Sequence, residues 1–132
     1  MRTTVLSSIL VAAFIVPVVV QAQASAPADS LGATTKQFPS IELGAEFEGG
    51  VGRQLRARLV TIAPGGHTAM HTHDGRPTLE YVLQGDVIEI RNGVEMSHVA
   101  GDMIVGSKGV SHWWENRSNS PVVLLPVDVF RP

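Results

Sequence analysis

From residue 55 onward the chain is built of short runs rich in Val, Ile, Leu and Thr, divided by clusters of Gly, Pro, Asn and Asp. In "TLEYVLQ", Leu79, Tyr81 and Leu83 alternate with Thr78, Glu80 and Val82, the period that sends successive side chains to opposite faces of a strand. Several short strands punctuated by turn residues indicate an all-β sandwich or barrel. Strands are predicted over residues 55–62, 67–71, 78–83, 87–91, 94–99, 103–105, 111–115 and 122–130. Helical periodicity is not seen in this part of the chain. Asn92-Gly93, between "DVIEIR" and "VEMSHV", suits the two positive-φ positions of a type I′ turn and fixes one antiparallel hairpin. Residues 25–38, "SAPADSLGATTKQF", are small and polar without a period; they read as a flexible lead-in, which places the folded domain at residues 39–132.

Residues 1–24 follow a different pattern. Arg2 precedes the apolar run "ILVAAFIVPVVV" at residues 9–20, and Ala22-Gln23-Ala24 supplies small residues two apart. Early charge, short apolar core and small-x-small site are the order of a secretory signal peptide, cut before Ser25. The run falls short of the ~20 apolar residues of a spanning helix, contains Pro17 and lacks a basic stop-transfer cluster. The expectation is an exported protein, periplasmic or secreted, with no stable membrane anchor after cleavage. No twin arginine is present, so the chain is expected to cross before it folds.

Composition narrows the chemistry. The net charge is −2, with no basic run or interleaved aromatic stripe, so nucleic acid is not an expected partner. With no cysteine, disulfides and soft thiolate metal sites are excluded, and any metal must be held by histidine and oxygen donors.

Three of the five histidines, His67, His71 and His73, fall within one seven-residue stretch. On a strand His71 and His73 share a face, and two imidazoles one step apart on a barrel's inner wall can reach a single divalent ion. Spacing alone also allows two exposed or hydrogen-bonded rings on an edge strand. His67 has the same parity if its strand is continuous, which makes it a rim residue able to contact a substrate.

A second stretch, "GDMIVGSKGVSHWWEN", repeats this outline of glycine turn, short strand, glycine turn and histidine. Gly65-x5-His71-x-His73 followed by Gly85 resembles the first motif of the cupins. Gly101-x5-Ser107-x-Gly109-x2-His112-x3-Asn116 resembles the second. The resemblance implies a double-stranded β-helix, the cupin jelly-roll barrel, with one divalent metal near its mouth held by His71, His73 and His112.

Cupins usually carry a glutamate five residues after the second histidine of the first motif, and Thr78 stands there. Glu80 lies on the same face, displaced by about 7 Å at ~3.3 Å per residue. Three roles are open to it: a displaced fourth ligand, a general base one shell out, or a structural carboxylate. Alternation puts Trp114 on the metal side, as cavity wall or as barrel packing, and Trp113 on the other. Arg76, in the loop before Glu80, either clamps a carboxylate at the mouth or is solvated. His98 stands alone in the hairpin. Asn116 heads an "NRS" glycosylation triplet, but a turn-stabilising role is expected for it.

Because one fold serves many chemistries, two functions are carried forward. One is a metal-dependent enzyme, dioxygenase-like, acting on a small organic molecule. The other is a module that binds a metal or small ligand without turnover. Fe, Mn, Zn, Ni and Cu all suit the donors, and export favours Zn or Cu by affinity order. A homodimer is expected, since the apolar tail "PVVLLPVDVFRP" needs cover.

Overall fold

The computed structural model describes residues 25–132; the leader expected at residues 1–24 lies outside them. Among the described residues there are ten strands and one short 3-10 turn at Leu43–Ala45; the strands are β1 (Leu31–Gln37), β2 (Ile41–Glu42), β3 (Gln54–His67), β4 (His71–Thr72), β5 (Thr78–Gln84), β6 (Val87–Arg91), β7 (Val94–His98), β8 (Met103–Gly106), β9 (Ser111–Glu115) and β10 (Val122–Phe130). They join in one curled sheet of order β7-β6-β9-β3-β10-β5-β8, with β1 and β2 along β3 and β4 on β9. All pairings are antiparallel. The seam between the two leaves is short. It includes the His67–Glu115 pair and backbone bonds joining Gly65 and Gly66 to Asn116 and Thr68 to Trp114. The result is the expected double-stranded β-helix.

Asn92 and Gly93 have φ of 48° and 82° and close the β6–β7 hairpin with Arg91 opposite Val94, as the turn chemistry predicts. Asn116 is buried and ties its own turn, donating to the carbonyls of Ile62 and Ser120 and accepting from Ser118. That is the structural role expected of it.

Two expectations are corrected. Residues 31–37, within the stretch read as a flexible lead-in, form β1, paired with β3 from Leu31–His67 to Gln37–Arg58. Backbone pairing needs no side-chain pattern, and this strand is exposed along almost its whole length, so no hydrophobic alternation marked it. The strand expected over residues 67–71 is broken instead. β3 runs to His67, and residues 68–70 form a loop pinned from outside: Met70 donates its N–H to the Pro27 carbonyl and Ala69 to the Ser30 hydroxyl.

Inward positions at one end of the barrel are apolar: Ile62, Val82, Val87, Ile104, Trp114, Val122 and Leu124 form the core. Burying each such side chain contributes about 1.5–3 kcal/mol. Toward the other end the same strands turn polar inside, and there the histidines gather.

Candidate metal centre

β4 and β9 pair with His71 opposite His112, and the chain bends after Thr72 so that His73 reaches the same point. The Nε2 atom of His112 lies 2.8 Å from that of His73 and 3.0 Å from that of His71. From β5, Oε1 of Glu80 stands 3.4 Å from Nε2 of both His73 and His112. Donor atoms ~2.0–2.1 Å from a first-row divalent ion stand about 2.8–3.4 Å apart across angles of 90–109°, which is the spacing of these four contacts.

The outer nitrogens set the tautomers. Each Nδ1 meets an acceptor: the Ala69 carbonyl at 3.2 Å for His71, Thr78 Oγ1 at 2.9 Å for His73, and Glu89 Oε1 at 2.5 Å for His112. Thr78 donates its own hydroxyl proton to the Arg76 carbonyl, which leaves an oxygen lone pair for His73. With Nδ1–H donating outward, the neutral rings direct bare Nε2 lone pairs at one another, an arrangement that a proton or a cation must relieve.

Glu80 completes the fit. It is buried, Trp114 Nε1 donates to its Oε2 at 3.1 Å, and Oε1 has no hydrogen-bond partner. A buried carboxylate oxygen without a donor is costly, and this one faces the histidine nitrogens. Burial pushes the Glu80 carboxyl up, but contact with His112 and His73 outweighs it and holds the group well below the ordinary carboxylate range. Burial and neighbouring His112 push His71 down to about 4. For His112 burial acts downward, yet Glu80 and Glu89 prevail and raise it. A proton and a metal ion would compete for the His112 lone pair.

His71, His73, Glu80 and His112 are therefore brought together as a cluster able to hold a metal ion, with all four donor atoms within 4.8 Å of one another. The three-histidine set implied by resemblance stands together with Glu80, whose carboxylate faces the same point as the histidine nitrogens.

The cavity above the cluster, about 220 Å³, is lined by His71, His73, Glu80 and Trp114 together with Arg58 and Arg76. Trp114 is on the metal side as alternation requires, its ring centroid 5.2 Å from that of His112. Arg76 reaches the cavity wall. His67 does not line the cavity; with the strand broken after it, its ring turns to the Thr68 carbonyl at 3.4 Å, and Thr68 takes the wall position instead.

Three functional residues escaped the sequence reading. Glu89 is fully buried, bridging His112 on one oxygen and His98 on the other at 2.9 Å, with Arg91 also bonded to it. Its signal was an acid at an inward position of β6, and that position explains why His98 is satisfied rather than free. Gly106 packs under His73, where an added Cβ would sit 2.5 Å from the ring. Asp128, buried on β10, accepts a paired bond from Arg56 and a single one from Arg58, a contact across some seventy residues that has no local signal.

Comparison with known proteins bears on the fold and the family. A curated oxalate-binding protein of Thermotoga maritima is 32% identical over 74 residues, which cover 56% of this chain and 60% of that protein. The chain thus spans less than two thirds of that relative's length. The solved structure of a predicted oxalate decarboxylase from Thermotoga maritima superposes with a TM-score of 0.59 at 21% identity, covering 83% of this chain and 96% of that one. A Cupin 2 conserved barrel domain protein from Salinispora arenicola gives 0.58 at 17%, covering 89% and 88%. At those identities the two structures speak for the fold. The profile of the Cupin_2 family, described as a cupin domain, matches residues 58–130, and the chain belongs to that family.

Proposed function

We propose that this cupin is an exported, metal-dependent enzyme that holds one divalent ion through His71, His73, His112 and Glu80 and acts on a small organic molecule in the cavity, in the manner of a dioxygenase. The observation that carries the reading is the convergence of three outward-fixed imidazoles on one unpartnered carboxylate oxygen at the floor of an accessible cavity. Nitrogen and oxygen donors suit Fe, Mn, Zn, Ni or Cu. A bound ion would supply Lewis acidity and, if redox-active, access to oxygen chemistry. The protein's own part is to keep Glu80 ionised, to fix each ring through its Nδ1 partner, and to close one wall with Trp114.

A second reading is favoured by the curated relative, which is named for binding oxalate: capture of a small ligand without turnover. Oxygen uptake and product analysis with metal-loaded protein separate the two. Turnover that Glu80→Gln abolishes supports the enzyme; stoichiometric ligand binding with no turnover in air supports the binding module.

The outer face of the β3-β10-β5-β8 leaf supports a homodimer. Leu79, Leu83, Met103 and Val105 are 44–56% exposed there, a contiguous apolar surface of the kind that association covers. Sedimentation as a monomer at micromolar concentration would contradict that part of the reading, and N-terminal sequencing of exported protein that begins elsewhere than Ser25 would contradict the leader.

A further inference from the structure

The polar end of the barrel carries more positive charge than its own residues balance. Arg56, Arg58 and Arg76 all approach the single carboxylate of Asp128. Arg56 takes both carboxylate oxygens in a paired bond at 3.0 and 2.9 Å, the fork-to-fork geometry of a strong arginine–carboxylate pair. Arg58 is left with one bond to Oδ2, and its buried Nε has no hydrogen-bond partner. Arg76 stands 3.9 Å from Oδ2 and makes only a long contact, 3.5 Å, to the Thr72 carbonyl. Of the three guanidiniums, the two that Asp128 satisfies only in part or at long range are the two that line the cavity above the histidines.

The acids nearby do not supply the missing charge. Glu80 turns its oxygens to the histidines and Trp114, and Glu89 is held by His112, His98 and Arg91. Arg58 is pushed down, first by burial and then by its arginine neighbours, against the opposing pull of Asp128 and, more weakly, Glu80. The remaining wall is apolar or neutral, including Ala33, Val60, Leu124 and Pro126. A volume of about 220 Å³ is below the ~300–1,000 Å³ of pockets for drug-sized ligands.

We infer that Arg58 and Arg76 form an anion subsite beside the metal cluster, so that the cavity selects a small carboxylate, its acid group on the two guanidiniums and a further oxygen toward the histidines. This deepens the proposed function and rests on it for the metal-facing half of the ligand. The arginine half stands on its own. Guanidiniums give planar, forked donation to a carboxylate that an ammonium cannot reproduce, and a site built for such a ligand rejects a neutral isostere because its charged donors are then left unpaired.

The test uses calorimetric titration of the mature protein with oxalate and malonate as probes, against the neutral diamides oxamide and malonamide, with metal content measured on every sample. The acids are expected to bind at least tenfold more tightly than the diamides. Arg58→Lys and Arg76→Gln are each expected to weaken acid binding tenfold or more, with metal per chain and melting temperature of the second variant unchanged. Arg76→Gln serves as the independent check, because Arg58 also braces Asp128. Diamides that bind as well as acids, no binding of either acid, or both variants at wild-type affinity with metal retained would overturn the subsite. Protein that holds no metal yet binds the acids through Arg58 and Arg76 would sustain it while removing the metal-dependent reading.

Discussion

On five strands the inward-facing positions change character part-way along. β5 presents Val82 and then Glu80 and Thr78; β10 presents Val122 and Leu124, then Pro126 and Asp128; β3 passes from Ile62 to Arg58 and Arg56. β6 goes from Val87 to Glu89 and Arg91, and β9 from Trp114 to His112. One end is an apolar core that any close-packed set of similar volume could form. The other buries four carboxylate or imidazole groups of the cluster and its brace, together with Asp128, and each must find a partner. The lesson is a division of labour along single strands: burial at one end supplies stability, and the other end uses that scaffold to hold charged groups in a geometry they would not keep alone.

If the division is real, variants at the two ends should fail differently. The largest loss of stability is expected at the polar end, from Asp128→Asn, which leaves the half-buried Arg56 and Arg58 without their buried counter-charge. Breaking such a pair costs about 3–5 kcal/mol, measurable by denaturant unfolding. Leu124→Ala, at the apolar end, is expected to cost about 2–5 kcal/mol with metal per chain unchanged. A Leu124 variant that lost metal in proportion to stability would erase the distinction.

Glu89→Gln sharpens it from the other side. The change keeps the side chain's shape but removes the buried charge that Arg91, His98 and His112 share, so a stability loss smaller than that of Asp128→Asn is expected, since one arginine rather than two is left unpaired, and the partner that fixes His112 loses its charge. Removing an outer-shell partner of this kind weakens metal affinity about 10–100-fold. The smallest effect is in pH. His112 is raised in the metal-free protein, so its protonated form stabilises the fold below its unfolded pKa, and that contribution disappears as pH rises through the raised value. Metal needs the deprotonated ring. Affinity should therefore climb with pH across the same window, with proton release on binding, seen as a buffer-dependent enthalpy in calorimetry. His71, lowered to about 4, should contribute nothing to that release near neutrality.

How legible the molecule was in its sequence follows from the range of each signal. The Asn92-Gly93 turn and the alternation on β5 are local, and the structure reproduces them; His71 and His73 also meet, through the end of β4 after Thr72 rather than by a shared strand face. Motif spacing carried His112 to the same point. The role of Glu80 stayed open because a displacement along a strand says nothing about side-chain reach or about Thr78, which takes the usual glutamate position and braces His73 instead. β1 was invisible because an edge strand held by its backbone and exposed on both faces has no hydrophobic period. The Arg56–Arg58–Asp128 group and Glu89 depend on which strands become neighbours, and that is decided by topology rather than by any local run of residues.

The most direct measurement is elemental analysis of residues 25–132, prepared without a histidine tag, beside His112→Ala and Glu80→Gln. The account predicts about one divalent metal per chain in the unaltered protein, its loss in His112→Ala, and weakened retention in Glu80→Gln. No metal in the unaltered protein and none taken up on titration would contradict it.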